Sequence, residues 1–168
     1  IVGDDSFAVL LPDDLFFSDI SCLSQLVDTY KKTNSSVIAV NKIDKENIHK
    51  YGVITPGIKE HDAILIEDII EKPKADEAPS DIAVCGRYIF TSLIFDHLEA
   101  TNFDKSGEIQ LTDAIKSLID NQKVYARLYD GEKFDCGSKK GFVHATIALA
   151  LRDNSISKDI SKIIKEII

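Results

Sequence analysis

The sequence predicts an α/β domain in which strands and helices alternate, and three observations carry that expectation. Residues 7–11 (Phe-Ala-Val-Leu-Leu) are a continuous apolar run. Ile20, Leu23, Leu26, Val27 and Tyr30 then repeat at helical spacing, and residues 36–40 return to an apolar run. Strand, helix, strand in that order is the pattern of a parallel α/β sheet. With 168 residues, 44% of them hydrophobic, the chain is long enough to bury a core and amounts to one domain or a large part of one.

The run at 7–11 ends in Pro12-Asp13-Asp14 and reads as a strand buried on both faces, paired along both edges and stopped by a turn. After the helix and the strand at 36–40 comes a polar segment at 44–49, then Tyr51-Gly52-Val53-Ile54, with Pro56-Gly57 marking a turn in a hairpin or sheet excursion. Residues 63–70 are β-prone and are broken by Glu71-Lys72-Pro73, and the polar, proline-bearing stretch 74–81 reads as a surface loop. Residues 82–90 return as a strand. Thr91 or Ser92 is expected to cap a helix through Leu98, and Leu111, Ala114, Ile115, Leu118 and Ile119 mark a strongly amphipathic one. Residues 124–129 form the strand before an Asp130-Gly131 turn, and Ser138 caps a helix to about Leu151. Ile160, Ile163, Ile164, Ile167 and Ile168 give a last helix whose apolar stripe reads as a packing face.

Charge and cysteine usage exclude several functions. A net charge of −8, from 28 acidic and 20 basic side chains, repels a polyanion over most of the surface and argues against nucleic-acid binding. Cys22, Cys85 and Cys136 are too few and too scattered for a disulfide framework or a zinc site, and a reducing cytoplasm suits them. No apolar run reaches the roughly 18 residues of a membrane span, and no export signal is visible at the N-terminus. The chain opens on Ile1-Val2-Gly3 and holds no methionine, so the expectation is that an N-terminal part of the ancestral product is missing.

Chemistry concentrates where apolar β runs end. Asp13, Glu71 and Asp135 each follow such a run, and strand ends of an open α/β sheet are where ligands bind. In Phe134-Asp135-Cys136-Gly137-Ser138-Lys139-Lys140-Gly141 a carboxylate meets a glycine, a helix cap and paired lysines. A carboxylate at a strand end can hold a divalent cation, a glycine admits a ligand close to the backbone, and a helix N-terminus attracts phosphate oxygens. Each piece alone has a structural reading: a common turn at Pro12-Asp13-Asp14, a strand entry at Tyr51-Gly52, a solvated strand end at Glu71-Lys72-Pro73, a capped helix at Ser138.

Six stretches in order carry a family resemblance: Phe7-Ala-Val-Leu-Leu-Pro-Asp-Asp14, Tyr51-Gly-Val-Ile54, Ile70-Glu-Lys-Pro-Lys74, Val84-Cys-Gly-Arg-Tyr88, Gly107-Glu-Ile-Gln-Leu-Thr-Asp-Ala-Ile115 and Phe134-Asp-Cys-Gly-Ser-Lys139. Across nearly its whole length the chain resembles the C-terminal part of the bacterial UTP:glucose-1-phosphate uridylyltransferases. The resemblance implies a Rossmann-like nucleotidyltransferase fold, a mixed sheet flanked by helices with its N-terminal part missing, in which residues 1–168 are the C-terminal portion of a single domain. It implies that Asp13 and Asp135 hold Mg²⁺ while a sugar-phosphate oxygen attacks the α-phosphorus of UTP and pyrophosphate leaves. Glu71 would accept hydrogen bonds from sugar hydroxyls, Gly52 would let the backbone approach the ring, and Lys72 would hold the phosphate of glucose 1-phosphate. Lys139 would be a second phosphate contact, with a surface role equally open, and Arg87 a weaker candidate still. The complete enzyme is expected to be a cytoplasmic homo-oligomer.

The chain departs from that family in one respect: its eight glycines never form a Gly-x-Gly phosphate-binding loop. The expectation is that base choice is unreadable here, and that this chain alone makes no UDP-glucose and exposes the open edge of the strand at 7–11. Three other readings stay open: a thymidylyl- or adenylyltransferase for another nucleotide or sugar, a metal-dependent glycosyltransferase using Asp13 and Asp14 together, and a non-catalytic remnant or assembly module.

Overall fold

A computed structural model describes residues 2–104 and 107–167. By contacts the chain forms two compact units, residues 1–10 with 20–130 and residues 11–19 with 131–168.

The larger unit is a six-stranded sheet of β1 (Phe7–Leu10), β3 (Ser36–Lys42), β4 (Gly52–Glu60), β5 (Ala63–Glu71), β6 (Ile82–Phe90) and β7 (Val124–Leu128). The order is β1-β6-β3-β7-β5-β4, and β4 also meets β6 at Val53 and Ala83. Among the described residues only β3 and β7 pair in parallel, so the sheet is mixed. The expected strand-helix-strand unit is present, with β6 inserted between its two strands. The strand expected to be buried on both faces is instead an edge: β1 pairs with β6 alone among the described residues, its burial alternates, and Leu10 is 50% exposed. Pro56-Gly57 does not turn the hairpin. Strand β4 runs through both residues with shifts of register on either side of Pro56, and the chain reverses at His61 and Asp62, where His61 takes φ 56°. A proline lacks the N–H a central strand needs, which confines it to edges and irregular positions like this one.

Helix α1 (Cys22–Thr33) starts where the Ser21 hydroxyl accepts the Ser24 N–H at 3.1 Å, and ends on Asn34 in the left-handed region. It lies on β3 and β6 with Leu26 fully buried. Helix α2 (Ile94–Ala100) begins without the expected side-chain cap; the Thr91 carbonyl accepts the Ile94 N–H at 3.3 Å instead. Helix α3 (Leu111–Ile119) packs on β5 and α2, burying Ala114, Ile115 and Leu118 in one cluster with Ile66 and Ile69 of β5. The isoleucine and leucine side chains each contribute about 1.5–3 kcal/mol when buried. Across from it α3 is held by an ion pair, Lys116 Nζ to Asp68 Oδ1 at 2.8 Å.

Between β3 and β6 the register slips: Ile38 pairs with Tyr88 but Val40 with Val84, so β6 carries extra residues. Among them is Gly86 at φ 73°. A bulge of this kind needs a residue free of the left-handed penalty, which accounts for the glycine in Val84-Cys-Gly-Arg-Tyr88.

The smaller unit pairs two short strands, β2 (Asp14–Phe17) and β8 (Glu132–Asp135), antiparallel with Asp14 opposite Asp135. Strand β2 is not anticipated by the sequence pattern. Helix α4 (Lys139–Arg152) follows, capped by Ser138 as expected through its hydroxyl on the Gly141 N–H at 3.1 Å. The Arg152 guanidinium lies 4.8 Å from the centre of the Phe17 ring and 5.6 Å from that of Phe134, and pairs with Glu132. Helix α5 (Ser157–Ile167) packs on α4 with Ile160 and Ile164 half-buried. Its stripe is a weaker packing face than expected, since Ile163 and Ile167 are exposed; Ile168 lies outside the described residues. No helix among the described residues is long and apolar enough to cross a membrane.

Two glycines yield sharp expectations. Gly86→Ala should lower the unfolding free energy by about 1 kcal/mol or more, because an L-residue pays that much in the left-handed region, and the loss should show as a lower urea midpoint. Gly86→Asn should cost less, and equal midpoints for all three proteins would show that the bulge tolerates a side chain. A Cβ on Gly141 would stand 1.8 Å from the Asp135 carbonyl oxygen. Gly141→Ala is therefore expected to shift the backbone at the start of α4 at a cost of about 1–3 kcal/mol, read as faster hydrogen exchange of α4 amides.

Candidate active site

In the larger unit the antiparallel hairpin sets Gly52, the first residue of β4, opposite Glu71, the last of β5. Successive side chains of a strand point to opposite faces, so Lys72 would ordinarily turn away from Glu71. It does not, because Lys72 takes φ 45° while its N–H bonds the Tyr51 carbonyl at 3.0 Å. The left-handed backbone redirects the chain, and Lys72 Nζ comes 3.3 Å from Glu71 Oε1. A non-glycine residue pays for that conformation, and such strain concentrates at functional positions.

The other oxygen of Glu71 is held from α3. The Thr112 hydroxyl, in the first turn of that helix, donates to Glu71 Oε2 at 2.5 Å. Gly52 lies against both groups: a Cβ there would stand 3.2 Å from Thr112 Oγ1, 3.3 Å from Glu71 Oε2 and 3.7 Å from Val84 Cγ2. Gly52, Glu71 and Lys72 are thus brought together, with an anionic acceptor and a cationic donor side by side. Arg87 is occupied within the β6 bulge, where its Nη1 donates to the Gly86 carbonyl at 2.9 Å.

In the smaller unit, Asp135 ends β8 and Asp13 sits in the turn before β2, tied by the Cys136 N–H to the Asp13 carbonyl at 2.7 Å. Their carboxylates converge on the space that Gly137 leaves open. Asp13 Oδ2 lies 3.0 Å, and Asp135 Oδ1 3.2 Å, from where a Cβ on Gly137 would be. The Gly137 N–H also donates to Asp135 Oδ1 at 3.0 Å and fixes its rotamer. Helix α4 starts hard against the Asp135 carbonyl, which Gly141 permits. Lys139 is exposed on the first turn of that helix.

Asp14 points elsewhere. It is buried and accepts Lys133 Nζ at 2.9 Å, an ion pair in which both side chains are nearly excluded from solvent. Burial pushes its carboxyl up from the ordinary 3.8, Lys133 pulls it down, and the charges of Asp13 and Asp135 push it up again. Asp13 and Asp14 therefore do not share a ligand, as the glycosyltransferase reading requires. Among the described residues no group of three or more His, Cys, Asp or Glu side chains is arranged for a metal. Two hard carboxylate oxygens facing one gap still suit Mg²⁺, which ordinarily takes one or two protein carboxylates and completes its shell with water and phosphate.

Sequence reasoning missed Thr112 and Lys133 as parts of these arrangements. Thr112 lies inside the Gly107–Ile115 motif, and the signal available was its place four residues before Lys116, which puts both on one face of α3.

The sequence profile described as Nucleotidyl transferase matches residues 1–151. The chain is 43% identical over 166 residues to the UTP--glucose-1-phosphate uridylyltransferase of Staphylococcus epidermidis, covering 99% of the chain and 58% of that protein. It is similar to a solved UDP-glucose pyrophosphorylase complexed with UDP-glucose, at TM-score 0.84 and 38% identity over 88% of this chain and 57% of that one. A UTP-bound enzyme from Acinetobacter baumannii gives TM-score 0.84 and 33% identity over 99% of this chain and 58% of its own. The chain thus spans 58% of the length of the staphylococcal relative. The profile match over residues 1–151 shows that this chain belongs to the nucleotidyl transferase family.

Proposed function

We propose that this chain works in the UTP:glucose-1-phosphate uridylyltransferase reaction, which forms UDP-glucose and pyrophosphate, and that it carries the sugar-phosphate contacts and the metal carboxylates. The observation that carries the reading is the left-handed turn at Lys72, which sets an ammonium 3.3 Å from the Glu71 carboxylate beside a strand-entry glycine. A sugar phosphate presents both matching groups, and the similarity to uridylyltransferases supports glucose 1-phosphate and UTP as the substrates.

In this reading Lys72 holds the phosphate of glucose 1-phosphate by charge-assisted hydrogen bonds, and Glu71 accepts from sugar hydroxyls. Gly52 leaves the ring room to approach the backbone. Together they fix the sugar phosphate so that its oxygen faces the α-phosphorus of UTP, and the chemistry is mainly positioning and charge stabilisation. Asp13 and Asp135 would hold Mg²⁺, which supplies neutralisation of phosphate charge when bound. Lys139 is available to phosphate at the start of α4. Three free cysteines suit the reducing cytoplasm as the compartment, and a homo-oligomer is the assembly we propose for the complete enzyme.

Two measurements test the halves separately. Mn²⁺, a spectroscopic substitute for Mg²⁺, should bind the chain in an electron paramagnetic resonance titration, and Asp13→Asn and Asp135→Asn should each weaken it by about tenfold or more. Equal binding by both variants would remove the metal role. For the sugar side, calorimetric titration with glucose 1-phosphate should show affinity reduced about tenfold or more in Lys72→Ala and in Glu71→Ala, the scale of one lost charge-assisted hydrogen bond. Unchanged affinity in both would refute their roles.

A further inference from the structure

We propose that Thr112 is a positioning residue that holds the Glu71 carboxylate in its ligand-accepting orientation, an inference that rests on the sugar-binding role given to Glu71 above. Among the described residues the Glu71 side chain has two partners, one on each oxygen: Thr112 on Oε2 at 2.5 Å and Lys72 on Oε1 at 3.3 Å. These two contacts do not survive ligand binding equally. When a sugar phosphate arrives, its phosphate competes for the ammonium of Lys72, whose side chain is 57% exposed. Lys72 then leaves Oε1, and that oxygen becomes the acceptor for a sugar hydroxyl. The Thr112 bond faces the other oxygen and is untouched by the exchange.

The hydroxyl thereby performs a task that neither Lys72 nor the ligand can. A glutamate side chain has three rotatable bonds, and fixing them at the moment of binding costs affinity. Thr112 fixes them beforehand. Its own position is fixed too, because α3 is anchored on β5 by Ile115 and Leu118 and by Lys116 on Asp68 at 2.8 Å. Thr112 and Lys116 stand one helical turn apart on α3, and their partners Glu71 and Asp68 stand along β5. The helix grips the strand at two polar points, and the one at the strand end carries the ligand group. Gly52 completes the arrangement, since a Cβ there would stand 3.2 Å from Thr112 Oγ1 and crowd the bond.

The test uses glucose 1-phosphate as titrant and the Glu71 carboxyl carbon as a ligand-free reporter. Thr112→Val, nearly the same shape without the hydroxyl, is expected to weaken glucose 1-phosphate by about tenfold, the scale of a lost hydrogen bond to a charged group. Thr112→Ser keeps the hydroxyl and should bind within about twofold of the unsubstituted chain. In carbon-13 spectra at fixed pH without ligand, the Glu71 carboxyl resonance should move in Thr112→Val and return in Thr112→Ser. If Thr112→Val binds normally while Glu71→Ala does not, the positioning role is wrong and the sugar site stands. If Glu71→Ala binds normally, the sugar site falls and this inference with it. Equal weakening in Val and Ser with an unmoved Glu71 resonance would reduce Thr112 to packing. Should Thr112→Val fail to fold, the unsubstituted protein decides: its Thr112 hydroxyl proton must appear as a slowly exchanging resonance coupled to the Glu71 carboxyl carbon, and its absence overturns the proposal.

Discussion

The larger unit depends on one strand being satisfied along both edges. Strand β6 pairs with β1 on one side, with β3 on the other, and at Ala83 with β4. A buried strand has no water to turn to, so every backbone N–H and C=O along it must find a protein partner or cost free energy. The bulge that contains Gly86 shifts the register of β6 against β3 between Ile38 and Val40. Because β4 joins β6 at Val53, the same strand also fixes where Gly52 stands, and through the hairpin register where Glu71 stands. The position of the sugar-side carboxylate is thus set by hydrogen bonds well inside the sheet.

Two of the backbone conformations that L-residues avoid lie in elements that bear chemistry, at Gly86 and Lys72. Gly86 shapes the strand beneath Gly52, and Lys72 turns a cation toward Glu71. In the smaller unit the demand is for absent volume instead: Gly137 leaves room between Asp13 and Asp135, and Gly141 lets α4 begin against the Asp135 carbonyl. A carboxylate pair close enough to share a cation repels itself. Short tethers, such as the Gly137 N–H on Asp135 and the Cys136 N–H on the Asp13 carbonyl, hold the pair against that repulsion.

What the sequence made legible was what local pattern controls. Strand β6 and helix α3 fall where apolar runs and helical spacing put them, and Ser138 caps α4 because a hydroxyl before a helix has an N–H to accept. The mixed sheet was legible from the resemblance; the strand-helix-strand pattern alone suggested parallel neighbours, since it is blind to β6 slipping between β1 and β3. Strand β2 was hidden because Asp14 at its head looks like turn chemistry; only tertiary burial against Lys133 makes an aspartate a strand residue. Pro56-Gly57 misled for the converse reason, since an edge strand tolerates a proline that a central one would not. At the site, the motifs pointed to Glu71, Lys72, Asp13 and Asp135, but the left-handed turn at Lys72 and the Thr112 bond are facts of conformation that no residue type announces.

The smaller unit is assembled from two pieces of chain that are far apart in sequence, residues 11–19 and 131–168. During synthesis this imposes a wait. Strand β2 leaves the ribosome with Leu15, Phe16 and Phe17 and no partner, and β8 follows only after more than a hundred further residues, which at about 5–20 residues per second means a delay on the order of ten seconds. For that interval an aromatic strand is unpaired in a crowded solution. The charges that flank it, Asp13 and Asp14 before and Asp19 after, are the kind of gatekeepers that keep such a segment from pairing with the wrong neighbour. Nascent chains are therefore a state exposed to misassembly, and chaperone demand should be high until residues from 131 onward emerge.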